Sequence, residues 1–391
     1  MNDTVIEVNL LKEDEIPVAS QMIADYYWNE GFPIFSLKRD EKWTELDKLL
    51  KYNHTRLIRK DELGTTMIGQ SMQGLALAWN YHPHAWNVKC ADRRTPLENF
   101  CDKSVLEAVI HKILRRILKR KGSVTDNLLR KYLRIFTGSQ GVSNFRPTAA
   151  AAIYRYLLPE TGGVTWDMSS GFGGRLLGAI ACKNVKKYIG SEPASETMAG
   201  LKEMEFELLP IARQMHRSLE VELHPLGSEK MRLPANSVDL CFTSPPYFDR
   251  EKYSEEETQS WKKYQRDSEV ETKEAWITEF MGDTLDNCEH CLKPDGLLAV
   301  NIADVDTYKG MEARFKDFAV RQKGWKLVEE MKLTLSSIWG RTKYKSCQEC
   351  QRLTGEANGI EAVIPTFDGN WKKCPEHKYK YEPIYVFRRK Q

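Results

Sequence analysis

The sequence lacks any stretch approaching the ~18 uninterrupted apolar residues of a membrane-spanning helix, which excludes a bitopic or polytopic reading. Its first residues, Met1-Asn2-Asp3-Thr4, have neither a basic leader nor an apolar signal core, so the chain reads as soluble and intracellular, in the cytoplasm. An excess of one charge is also missing. Lys and Arg number 58 against 55 Asp and Glu, a net charge of +3 that is too even for a protein coating nucleic acid. Contact with DNA or RNA must therefore come from local patches. Nine cysteines, an odd number without a secretion signal, argue against a disulfide framework and for thiols that are buried, metal-bound or idle. Repeats, low-complexity tracts and long Gly/Ser/Pro linkers are absent too. What is present is 391 residues, 41% hydrophobic and 29% charged, enough for two or three domains with cores of their own.

Domain boundaries then rest on changes of pattern. From Val5 to Gly141 the chain reads as mostly helical, with Tyr26, Tyr27, Trp28, Trp43, Trp79 and Trp86 scattered through it, which predicts a helical domain over 1–141. From Val164 onward short apolar runs alternate with helical stretches, which predicts an α/β domain with a largely parallel sheet over 142–391. Strands are expected at Gly163–Asp167, Lys187–Gly190, Leu219–Leu223 and Val238–Phe242. Three more are expected at Leu297–Ile302, Trp325–Leu335 and Pro383–Phe387. The count predicts a seven-stranded, doubly wound, Rossmann-like sheet with its ligand at the carboxyl ends of the strands.

Asp167-Met168-Ser169-Ser170-Gly171-Phe172-Gly173-Gly174-Arg175 follows the first of these strands and opens a helix, and its glycines let a ligand pass close to the backbone. It has neither the GxGxxG spacing of dinucleotide binding nor the Gly-Lys-Ser/Thr of a phosphate loop. Acids end the successive strands: Asp167, then Glu192, then Glu229 after Ser228. A carboxylate just after the second strand can accept both hydroxyls of a ribose. Helix capping is the plainer explanation for any one acid, but less so for three in register.

Thr243-Ser244-Pro245-Pro246-Tyr247 comes directly after the fourth strand. Two prolines fix the backbone and remove two N–H donors, leaving carbonyls without internal partners. Ser244 and the Pro245 carbonyl could accept the protons of an exocyclic amino group, and the Tyr247 ring offers a face for a flipped base. A strand-ending turn with an exposed tyrosine is the alternative.

From about Ser143 to Arg389 the combination resembles the S-adenosylmethionine-dependent DNA amino-methyltransferases, which methylate cytosine at N4 or adenine at N6. The resemblance implies a class I methyltransferase fold with S-adenosylmethionine as cofactor. In Asn144-Phe145-Arg146-Pro147-Thr148 it implies contacts to the methionine moiety through Phe145, Pro147 and Thr148. Asp167, Ser169, Gly171 and Gly173 resemble the cofactor loop, Glu192 the ribose ligand, and Ser228 with Glu229 the region near the cofactor's adenine. Thr243 borders that site, and Ser244, Pro245, Pro246 and Tyr247 match the catalytic tetrapeptide. Tyr381 to Phe387 resembles the family's closing strand. The loop departs from the family, reading Asp-Met-Ser-Ser-Gly in place of Asp-Pro-Phe-x-Gly. A tetrapeptide that starts with Ser leans toward cytosine N4, so the implied reaction is direct in-line transfer to that atom in DNA. Adenine N6 or an RNA base is the alternative within enzymes. A zinc-dependent nucleic-acid-binding protein with a non-catalytic transferase fold is the alternative outside them.

Cys347-Gln348-Glu349-Cys350 and Cys374-Pro375-Glu376-His377 form C-x2-C and C-x2-H pairs. Such knuckles place three thiolates and an imidazole around a structural zinc ion, which predicts a zinc-binding insert over 340–380. Cys288-Glu289-His290-Cys291 has no second pair to join and reads as helix packing, and Cys241 as strand core. Between Lys103 and Arg134, ten basic positions face two acids, Glu107 and Asp126, while Val105, Leu106, Val109 and Ile110 start an apolar face at helical spacing. That predicts an amphipathic helix with a cationic face for a phosphate backbone, or simply a solvated surface.

Overall fold

The computed structural model describes residues 4–61, 64–90, 93–118, 122–335 and 381–390. Five short strands occupy the amino-terminal part: β1 (Val5–Glu7), β2 (Ile58–Lys60), β3 (Thr66–Ile68), β4 (Lys89–Cys90) and β5 (Ser123–Thr125). Then come β6 (Gly163–Asp167), β7 (Val185–Ser191), β8 (Glu220–His224), β9 (Val238–Thr243) and β10 (Glu251–Lys252). The last are β11 (Leu292–Asn301), β12 (Lys326–Thr334) and β13 (Tyr381–Arg388). No helix among the described residues is long and apolar enough to cross a membrane.

Among the described residues the main sheet has nine strands in the order β2-β3-β12-β13-β11-β9-β6-β7-β8, two more than the seven expected. The additions are β2 and β3, too short to stand out in the sequence, which extend the sheet because β3 pairs in parallel with β12. The strands from β11 through β8 are parallel to their neighbours, and β13 is antiparallel to both β11 and β12. The chain runs outward from β6 to β8 and returns to β9 on the other side of β6, so the strand order reverses between β6 and β9. Open α/β sheets bind their ligands at such a reversal.

Both faces of the sheet are covered, which is why its strands read as continuous apolar runs rather than alternating ones. Leu240, Phe242 and Ala299 face a core shared with the helices Pro147–Leu157, Gly174–Ala181 and Ser195–Gln214. Cys241, Leu298 and Val300 point the other way, into a core with Cys288, Cys291 and Trp276. Those cysteines are fully buried free thiols, and Cys241 Sγ lies 3.8 Å from Cys291 Sγ. Desolvation in this apolar setting pushes the Cys241 thiol well above its ordinary value, which keeps it unreactive.

Buried residues before 142 divide among three cores, the smallest placing Ala85, Val88 and Cys90 against Phe172. Leu37, Leu46, Leu49, Leu57, Ile68, Leu77 and Tyr81 join the first sheet core. The helices Ile16–Glu30, Lys103–Leu118 and Asp126–Thr137 bury a separate one around Tyr27, Leu106, Ile110 and Leu133. The expected single basic helix is thus two helices. Their break holds β5, which pairs with β1, and Thr125, whose hydroxyl accepts from Leu128 N at 3.2 Å to cap the second.

Candidate active site

The turn after β6 is held in left-handed backbone at Gly171 (φ +54°) and Gly173 (φ +76°), a conformation that favours residues without a Cβ. Asn144 ties it to the preceding segment: its Oδ1 accepts from Gly174 N at 3.2 Å and its Nδ2 donates to Phe172 O at 2.9 Å. At Gly174 an added Cβ would stand 1.8 Å from Phe145 O, so this close approach requires glycine. The Phe172 ring stacks on Tyr253, centroids 4.5 Å apart, and meets His82 at 5.4 Å and Trp79 at 5.3 Å. His82 is buried there, and desolvation lowers its pKa to about 3, so it is a neutral packing group.

Asp167 is fully buried and its carboxylate is already engaged. Arg175 Nε donates to both oxygens at 3.0 and 2.9 Å, and the Tyr188 hydroxyl donates at 2.7 Å. Arg175 also donates to Ser169 O, so one buried ion pair clamps the start of the turn. Glu192 is different. Its oxygens accept from Gly171 N and Ala194 N, each at 3.0 Å, which leaves lone pairs unfilled on an acid facing a cavity. Burial raises its pKa to about 7 against the opposing effect of those two N–H donors. Glu229 is buried and paired with Lys263 Nζ at 2.7 Å, and Ser228 Oγ shares a hydrogen bond with Thr284 Oγ1 at 2.8 Å.

Ser244-Pro245-Pro246-Tyr247 leaves the end of β9 and turns sharply at Phe248, whose φ of +56° is rare for a bulky residue. The turn is held by Phe248 N donating to Pro246 O at 2.9 Å and by the Phe248 ring packing edge-on to Tyr308. The Tyr247 hydroxyl has three acceptors at 3.3 Å: Asn301 O, Asn301 Oδ1 and Glu382 Oε2. Ser244 Oγ donates to it at 3.4 Å. One proton cannot serve three acceptors, and all these distances are long for O–H···O, so the hydroxyl is loosely held. Desolvation and the Glu382 carboxylate push its pKa well above the usual tyrosine range.

One cavity of about 1930 Å³ gathers these parts. Phe145, Ser169, Gly171, Glu192, Ser228, Glu229, Ser244, Pro245, Pro246 and Tyr247 all line it. Pro147, Thr148, Asp167, Gly173 and Thr243 do not line it, being buried behind its wall. Thr148 Oγ1 instead accepts from Ser71 N at 3.0 Å. Cys347, Cys350, Cys374 and His377 lie outside the described residues, and no metal-holding group of three or more His, Cys, Asp or Glu occurs among the described ones. Glu382, Asn301 and Tyr253 also line the cavity, and sequence reasoning passed over them. Asn301 had a usable signal, a polar residue ending an apolar strand. Glu382 had none, because only the pairing of β13 with β11 and β12 brings it to Tyr247.

Fold and cavity define a doubly wound α/β protein in which Glu192, Glu229 and the turn Ser244–Tyr247 open into one cavity at the sheet's reversal. Residues 238–391 match the family model for DNA methylases of the N6/N4 type, a segment that begins at β9 and includes the tetrapeptide. No curated protein sequence matches the chain. Solved structures similar to it include the protein PH0851, at 13% identity over 63% of this chain and 46% of that one, with a TM-score of 0.34. A methyltransferase from Pyrococcus furiosus is similar at 12% identity over 61% of this chain and 81% of its own, TM-score 0.34. Phosphoethanolamine N-methyltransferase 1 of Haemonchus contortus, with S-adenosylhomocysteine bound, is similar at 16% identity over 40% and 26%, TM-score 0.26.

Proposed function

We infer that the chain is an S-adenosylmethionine-dependent methyltransferase acting on an exocyclic amino group of a DNA base, cytosine N4 in preference to adenine N6. The observation that carries this reading is the opening of Ser244-Pro245-Pro246-Tyr247 into the same cavity as Gly171 and Glu192. The DNA methylase match over 238–391 supports it.

The residues fit the cofactor. Glu192 has carboxylate lone pairs to spare for ribose hydroxyls, and at Gly171 an added Cβ would meet the Tyr253 hydroxyl at 3.5 Å and Ser169 O at 3.9 Å, ordinary contact distances that leave the backbone beside the cavity uncrowded. Ser228, Glu229, Phe145 and Ser169 would complete its enclosure. When bound, S-adenosylmethionine supplies a methyl group on a positively charged sulfur. The chain's own task is alignment: the Tyr247 ring would hold the flipped base by its face, while Ser244 Oγ and the Pro245 carbonyl draw the amino protons out of conjugation with the ring.

Labelled N4-methylcytosine in nucleosides digested from DNA, after incubation with labelled S-adenosylmethionine, is the expected product. N6-methyladenine would keep the reaction and overturn the base. Absence of label on both DNA and RNA would leave a cofactor-binding protein without turnover.

The Glu192 shift has a sign that can be measured. Its folded pKa lies above the ordinary glutamate value of 4.5, so its contribution to stability is full below that value and is lost as pH rises through about 7. Ribose binding runs the other way, since the ionised carboxylate is the better acceptor. Cofactor affinity should rise on the order of tenfold between about pH 6 and pH 8, and calorimetry on Glu192→Gln should show a flat profile. An unchanged wild-type affinity across that range would remove Glu192 from the ribose site.

A structural zinc ion would be held by Cys347, Cys350, Cys374 and His377, on the strength of their spacing alone. Elemental analysis should find one zinc per chain, and much less in a well-folded preparation would dismiss the site.

A further inference from the structure

Arg134, Arg146 and Arg250 line the same cavity as Tyr247. Arg134 is in the last turn of the helix Asp126–Thr137, Arg146 immediately precedes the helix Pro147–Leu157, and Arg250 lies three residues beyond Tyr247. Among the described residues none of the three is ion-paired. Arg134 Nη2 donates to Gly141 O at 3.2 Å, while the Arg146 and Arg250 side chains have no hydrogen-bond partner among the described residues. Glu251, next to Arg250 in the chain, forms no ion pair with any of the three among the described residues. Its carboxylate accepts instead from Ser143 N at 3.0 Å and Ser143 Oγ at 3.2 Å.

Burial lowers the pKa of Arg134 and of Arg146, and the charge of Arg134 lowers Arg146 further. A guanidinium does not lose its proton at such a site, so two partly desolvated like charges stay side by side until an anion joins them. The planar N–H fork of arginine suits an oxyanion held by two bonds. Exposed Arg56 and Lys131 continue the positive lining of the cavity. The methionine part of a cofactor offers one carboxylate, too little for a row of cations. A nucleic-acid strand offers a phosphate at every nucleotide.

We propose that Arg134, Arg146 and Arg250 form a phosphodiester-binding site beside the reactive turn, gripping the DNA backbone next to the base that enters the cavity. This rests on the nucleic-acid substrate assigned above. Here the phosphate contacts set position, and the pocket chooses the base.

The test is binding of a short DNA oligonucleotide to the full chain without cofactor, across a salt series, for wild type and for Arg134→Gln, Arg146→Gln and Arg250→Gln. Affinity for S-adenosylhomocysteine is measured in parallel. Each substitution should weaken DNA binding on the order of tenfold at moderate salt and lower the slope of log K against log salt by about 1. S-adenosylhomocysteine affinity should not change. Arg146→Gln and Arg250→Gln break no side-chain hydrogen bond among the described residues, so they keep the test open if Arg134→Gln fails to fold. Unchanged DNA affinity and slope in all three would overturn the proposal. Lost S-adenosylhomocysteine binding with DNA binding intact would also overturn it, by giving the arginines to the cofactor's carboxylate. Arginine-dependent DNA binding by a protein that methylates nothing would sustain this site while the enzymatic reading fails.

Discussion

Tyr247→Ala should lower the rate of methyl transfer by about 10²–10³-fold while leaving cofactor affinity within about twofold. The loss comes from position. A base that enters the cavity needs a face to lie against, and stacking on an aromatic ring contributes roughly 1–3 kcal/mol per base. A misplaced amino nitrogen then loses in-line alignment, which costs about another hundredfold. Tyr247→Phe separates ring from hydroxyl. Because the hydroxyl's four contacts are all 3.3 Å or longer, the Phe variant should stay within about tenfold of wild type. Single-turnover rates with saturating cofactor are the measurement. A fully active Tyr247→Ala would mean that Ser244-Pro245-Pro246-Tyr247 is a turn only, and the binding-protein reading would lead.

Arg175→Met should be the most destabilising of the substitutions considered, by about 3–5 kcal/mol in a denaturant melt. It would leave the Asp167 carboxylate with no exposure and, among the described residues, only the Tyr188 hydroxyl at 2.7 Å and Ser169 N at 3.3 Å as donors. The cost is that of an uncompensated buried charge rather than the worth of the ion pair. Pairing it with Asp167→Asn should therefore recover much of the stability, giving a double-variant loss well below the sum of the singles. The cofactor site should weaken as well, because Arg175 also holds Ser169 O in the turn that Gly171 and Glu192 share. A single variant within about 0.5 kcal/mol of wild type would show that the clamp is dispensable.

The two variants mark how far the residue pattern reaches. Position 247 is legible without coordinates, since two prolines and a tyrosine after an apolar strand describe a rigid, acceptor-lined turn wherever they occur. Asp167 looked from the sequence like Glu192, an acid at the end of a strand. The difference between them is made by Arg175, which is eight residues away and fully buried, and by Tyr188 on the neighbouring strand. The basic stretch from Lys103 to Arg134 was visible as charge. Its division into two helices, and the entry of Arg134 into the cavity beside Arg146, were not.

By itself the sequence determined the α/β alternation, strand β6 to the residue, the Gly-rich turn and the Pro-Pro turn after β9, because periodicity and turn chemistry act over a few neighbouring residues. Only the tertiary structure decided that β2 and β3 extend the sheet to nine strands among the described residues, which acid keeps unfilled lone pairs at the cavity, and that Glu382 meets Tyr247 across 135 residues. Those outcomes depend on long-range strand pairing and on which partner reaches a buried charge, and no local pattern records either.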